Sequence, residues 1–102
     1  MFDQIKKINE GLLRKFPKGN DPFQMVTRLA EEVGELASEV NHFENSGIKR
    51  EKHGEPNKAK LAGEAKNVIS NVLQIIEHYQ AEKELKNSIE KSIKKLQDNK
   101  WI

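Results

Sequence analysis

Asp21-Pro22-Phe23-Gln24-Met25-Val26-Thr27-Arg28-Leu29-Ala30-Glu31-Glu32-Val33-Gly34-Glu35-Leu36-Ala37-Ser38-Glu39-Val40 is the stretch that decides how this chain folds. Asp21 can cap a helix, Pro22 suits its first position, and Gln24 completes a capping-box pattern. Beyond that start, Val26, Leu29, Val33, Leu36, Val40 and Phe43 recur at alternating spacings of three and four. That is the rhythm of one helix face. The spacing predicts a helix from Pro22 to Glu44.

Outward from this helix, Pro17, Gly19 and Pro22 mark one break, and Gly47, Gly54 and Pro56 another. A first helix is predicted over Phe2 to Lys15, with Phe2, Ile5, Ile8, Leu12 and Leu13 as its apolar side. A third is predicted over Lys60 to Gln80, carrying Leu61, Ala65, Val68, Val72, Ile75, Ile76 and Tyr79. A fourth runs from Glu82 to Asp98 with a narrow stripe of Leu85, Ile89, Ile93 and Leu96. No stretch shows the strict alternation of a strand. The expected fold is all-α, one domain over residues 1–102, a four-helix bundle with a central antiparallel pair.

The chain has 102 residues, with 18 Lys plus Arg against 16 Asp plus Glu, and no Cys. Disulfides and Cys-ligated metals are excluded. The near-balanced charge is not the footprint of a nucleic-acid binder. No apolar run can span a bilayer, and Met1-Phe2-Asp3-Gln4-Ile5-Lys6-Lys7 lacks a signal-peptide core. A cytoplasmic protein with no membrane partner is expected. Only 35% of residues are hydrophobic, little for a lone small domain, so oligomerisation is expected to complete the burial.

The polar residues of the central helices are the informative ones. At 100° per residue, Arg28, Glu32, Glu35 and Glu39 fall within a sector of about 60°, with His42 beside it. Glu64, Asn67, Asn71, Gln74 and His78 form a similar sector on the third helix. Each seam borders its apolar face, displaced in the same rotational sense. An antiparallel pair packed through those faces puts both seams on one side, with Glu32 and Glu35 near Glu64 and Asn67. Three carboxylates and an amide at one rim suit a hard divalent cation, Mg²⁺ or Mn²⁺. Such a cation usually also binds substrate phosphates. The competing explanation is a solvated acidic face paired to Lys or Arg; the matched sense of the two seams favours the site.

Glu31-Glu32-Val33-Gly34-Glu35 resembles the EExxE signature of the MazG-like, all-α nucleoside triphosphate pyrophosphohydrolases. After a spacer of 28 residues, Glu64-Ala65-Lys66-Asn67 stands where that family has ExxD. The preceding Asn20-Asp21-Pro22-Phe23 and the helix order fit as well, so the resemblance covers most of the chain. It implies Mg²⁺-dependent cleavage of a nucleoside or deoxynucleoside triphosphate between the α and β phosphates, in a homodimer or dimer of dimers. Glu32, Glu35 and Glu64 match metal-binding positions. Glu31 matches the first Glu of the signature, a metal ligand or an orienter of the attacking water. Asn67 replaces the family's Asp, which removes one negative charge. A phosphoribosyl-ATP pyrophosphohydrolase is another reading within the superfamily. A non-catalytic helical module that binds a nucleotide or protein is the reading that Asn67 favours.

Other residues have two readings each. Arg28 can reach phosphate or pair with Glu32, and Asn71 can contact a base or ribose or join helices. Lys49, Arg50, Lys52, His53 and Lys58 can close over a triphosphate or simply solvate a loop. Lys15 and Lys18 flank the turn at Phe16-Pro17 and can touch substrate. His42 and His78 lack zinc spacing and are read as structural. Gly34 permits close helix approach, and Trp101 is read as a packing or dimer anchor.

Overall fold

The capping box predicted at Asp21 forms. The Asp21 carboxylate accepts the Gln24 backbone N–H at 2.9 Å, and the Gln24 side chain accepts the Asp21 N–H at 3.3 Å. The computed structural model describes residues 1–44, 51 and 53–102. It contains four helices among the described residues: α1 (Phe2–Lys15), α2 (Pro22–Phe43), α3 (Lys58–His78) and α4 (Glu82–Asp98). No strand occurs among them. None of these helices is long and apolar enough to cross a membrane.

Helix α3 starts two residues earlier than the apolar rhythm predicts. The reason is Asn57, whose side chain accepts the N–H groups of Ala59 and Lys60 at 2.8 and 3.2 Å. It also ends two residues earlier. Gln80 turns into the left-handed region at φ 53°. The N–H groups of Gln80 and Ala81 then bond back to Glu77 and Ile76, which closes a Schellman stop.

Helix α3 is the hub. It packs mainly against α2, then against α1, and least against α4. The result is a plate of 46 × 45 × 23 Å with a radius of gyration of 17.0 Å, against about 13 Å for a compact domain of this length. Ile5, Met25 and Leu73 are its buried apolar side chains, and among the described residues none is fully closed off from solvent.

The apolar face of α2 does not pack as one surface. At 100° per residue, Met25, Leu29, Leu36 and Phe43 occupy one sector, and Val26, Val33 and Val40 lie about 70° further round. The first set is buried or half-buried. The second is exposed, at 53%, 48% and 47%. One neighbouring helix covers only part of so broad a stripe. Phe23, Ala30 and Ala37 are exposed too, so an outward seam runs Phe23, Val26, Ala30, Val33, Ala37, Val40. Gly34, expected at a close helix contact, has nothing within 4 Å of a built Cβ and borders this seam instead. Trp101 is likewise exposed, and so anchors nothing within the single chain.

Candidate functional site

The pairing of α2 with α3 sets the site. Glu32 and Glu35 lie one turn apart on α2, and Glu64 lies in the second turn of α3. One carboxylate oxygen from each falls within 4.8 Å of the others. Glu32 and Glu64 are half-buried and Glu35 is exposed. Among the described residues no ion pair reaches the three. Lys60, one turn before Glu64, pairs instead with the buried Glu39 at 3.4 Å.

Electrostatics record the crowding. The Glu35 carboxyl is held above the ordinary carboxylate range by a hydrogen bond with Glu64 and by repulsion from Glu32 and Glu64. The Glu35 proton is therefore held to higher pH than that of an isolated carboxyl. Glu32 and Glu64 each keep one buried carboxylate oxygen without a hydrogen-bond partner. Converging oxygen donors of this kind could hold a metal ion.

Beside the carboxylates lies a chamber of about 600 Å³, within the usual range for small-ligand sites. Helix α1 contributes Asn9, Leu12, Leu13 and Phe16. Helix α2 contributes Met25, Arg28, Glu31 and Glu32, with Lys18 and Asn20 from the preceding turn. Helix α3 lines the rest with Asn67, Ser70, Asn71, Gln74, Glu77 and His78. The polar seam predicted on α3 thus becomes one wall of the chamber, and Glu32 belongs to both chamber and cluster. Burial of Glu77 pushes its carboxyl up from the ordinary range.

The sequence-predicted residues fall into three groups. Glu32, Glu35 and Glu64 come together. Glu31 and Asn67 line the chamber; Glu31 lies outside the carboxylate cluster. Arg28 does not pair with Glu32. Its guanidinium donates to the Gly19 carbonyl at 2.6 Å and to Asn20 at 3.3 Å, which ties the α1–α2 turn to α2. Asn71 donates to the Asn67 carbonyl at 2.7 Å. His42 is buried with its Nε2 2.7 Å from the Gly54 carbonyl. His53 and Lys58 are exposed. Lys49, Arg50 and Lys52 lie outside the described residues.

Sequence reasoning missed Asn9 and Ser70. Both are buried, and the Asn9 side chain spans from α1 to the Ser70 carbonyl on α3 at 3.2 Å. The signal was present: Asn9 interrupts the apolar side of α1 between Ile5 and Leu12.

The raised Glu35 carboxyl fixes a sign. The folded chain holds this proton more tightly than the unfolded one. Between the ordinary carboxylate value and the raised one, folding therefore takes up protons, and stability falls as pH rises. Thermal melting in metal-free buffer should show the melting temperature dropping through that window. Glu35→Gln should make the drop shallower, with the part due to Glu77 remaining, and should melt higher than wild type at neutral pH. An unchanged slope in the variant would contradict the crowding.

No protein-family model, curated protein or solved structure matches the chain.

Proposed function

We propose that the chain is a divalent-cation-dependent nucleotide pyrophosphohydrolase of the MazG-like kind. It would cleave a nucleoside or deoxynucleoside triphosphate to the monophosphate and pyrophosphate. The observation that carries this reading is the convergence of Glu32, Glu35 and Glu64 within 4.8 Å at the edge of a chamber of nucleotide-compatible size. In chemical terms, water attacks the α phosphorus, a new P–O bond forms, and the bond to the bridging oxygen of the β phosphate breaks.

Glu32, Glu35 and Glu64 would hold Mg²⁺ or Mn²⁺, with the Asn67 side-chain carbonyl as a neutral addition. Such an ion, when bound, offsets phosphate charge and acidifies a coordinated water. Glu31 is exposed and lines the chamber, where its carboxylate is available to take the proton of the attacking water. Lys18 and Arg28, on the same wall, supply positive charge toward the phosphates. Arg28 is already immobilised by Gly19 and Asn20, so little ordering is needed when substrate arrives. Asn67 removes one anion from the set, which favours the reading of an impaired, nucleotide-binding module as the alternative.

A pyrophosphate-release assay over a nucleotide panel with Mg²⁺ and Mn²⁺ separates the two. The enzyme reading expects turnover of at least one triphosphate. Glu35→Gln or Glu64→Gln should lower it by about a hundredfold or more, the scale of losing catalytic electrostatics. Asn67→Asp should retain or raise it. Silence on every nucleotide, with Asn67→Asp silent too, would overturn it.

We also propose that the working form contains a homodimer joined through the outward seam of α2. The seam spacing of three and four is that of a helix pairing with another helix. A seam of this kind is self-complementary about a two-fold axis. Ala30, Ala37 and Gly34 allow close approach, which gives the otherwise costly helical glycine a purpose. On α3, Val72 lies about 160° from Ser70 and so faces away from α1; it is 38% exposed and extends the apolar surface. The seam alone presents on the order of 500 Å², and with its flanks it approaches the ~800 Å² per partner of a stable interface. Light scattering should return about twice 11.7 kDa or a multiple of that for wild type. Val33→Asp, at a site exposed in the single chain, should return 11.7 kDa without unfolding it. A wild-type mass of 11.7 kDa, or a variant mass unchanged, would refute the seam.

A further inference from the structure

Asn9 and Ser70 are buried, at 4% and 7% exposure, and their contacts settle an orientation that is otherwise ambiguous in amide side chains. The Asn9 Nδ2 donates to the Ser70 main-chain carbonyl at 3.2 Å. A main-chain carbonyl only accepts, so nitrogen must face Ser70 and Oδ1 must face away from that carbonyl. Oδ1 accepts the Ser70 hydroxyl and the Gln74 Nε2 at 3.3 Å. An amide oxygen requires a donor opposite it, so Gln74 is fixed as well, nitrogen toward Asn9. The Gln74 Oε1 is what remains. It is buried and has no hydrogen-bond partner.

An acceptor left in that state carries a standing cost, which a ligand N–H would remove. Gln74 lines the same chamber as Leu12, Leu13, Phe16 and Met25, which offer an apolar lodging for a flat ring. It stands ten residues beyond Glu64 on one helix, about 15 Å along the axis, on the wall that also carries Asn67 and Asn71. A molecule with phosphates at the carboxylates and a heterocycle at its other end fits that length. The Gln74 side chain is partly exposed and its terminal torsion is broad. A small turn therefore brings Oε1 to a donor while Nε2 stays with Asn9.

We infer that the α1–α3 end of the chamber is a nucleobase site, in which the Gln74 side-chain oxygen, oriented by Asn9 and Ser70, accepts an N–H of the base. The ligand class is a nucleoside or nucleotide whose base edge carries an N–H. The direction of the bound molecule rests on the pyrophosphohydrolase reading; the base contact itself does not.

The test uses the full chain in metal-free buffer, so that neither a cation nor turnover is needed. Saturation-transfer NMR titrations compare cytidine, adenosine, guanosine and uridine, each beside its counterpart in which every N–H of the base is replaced by N-methyl. At least one parent nucleoside should bind. Its methylated counterpart should bind about tenfold more weakly, the scale of one hydrogen bond to a buried acceptor. In Gln74→Leu the parent and methylated forms should bind alike. If no nucleoside binds wild type, if methylation has no effect, or if the variant keeps the discrimination, the inference is overturned. The wild-type pairs decide the matter alone if Gln74→Leu does not fold. A chain that binds nucleosides here yet releases no pyrophosphate loses the enzymatic reading and keeps this one; turnover without base discrimination does the reverse.

Discussion

Helices α2 and α3 pack so that three carboxylates meet at their shared edge, and the repulsion among those carboxylates is the constraint around which the site is organised. Among the described residues no ion pair relieves it: Lys60 is engaged with Glu39 and Arg28 with the turn before α2. The crowding shows in a Glu35 carboxyl pushed above the ordinary carboxylate range and in oxygens of Glu32 and Glu64 without partners.

The open shape of the chain follows from the same division of labour. Helix α2 gives one edge to acid, one sector to α3 and a third to solvent. Helix α3 is shared among three neighbours. With so much surface assigned elsewhere, little apolar area is left to bury, and the buried set includes Asn9, Glu39, His42 and Ser70 beside Ile5, Met25 and Leu73. Asn9 is tied to Ser70, His42 to Gly54, and one oxygen of Glu39 to Lys60, its other oxygen having no hydrogen-bond partner. The interior is partly a polar lattice, which is why its geometry can orient Gln74.

Much of this was legible in residue order. The capping box and the three-four rhythm placed α2, and the equal rotational sense of two polar seams placed Glu32, Glu35 and Glu64 together. Periodicity alone could not say which part of a broad apolar stripe a single neighbour would cover, so Val26, Val33 and Val40 were expected inside and lie outside. It also could not foresee Arg28 bonding to a main-chain carbonyl, because the turn at Gly19 gives no sequence signal of its free acceptor. The ends of α3 depend on one capping side chain, Asn57, and one left-handed residue, Gln80. Asn9 was visible as a break in an apolar stripe, but its meaning depends on Ser70 and Gln74, more than sixty residues away.

The central claim is that the carboxylates of Glu32, Glu35 and Glu64 form a divalent-cation site. Electron paramagnetic resonance of Mn²⁺ titrated into the purified chain tests it most directly, because bound Mn²⁺ loses the sharp signal of the free ion. The account predicts that wild type depletes the free signal, that Mg²⁺ restores it by competition, and that Glu32→Gln and Glu64→Gln no longer deplete it. A wild-type chain that leaves millimolar Mn²⁺ free, or variants that bind it as wild type does, would contradict the account.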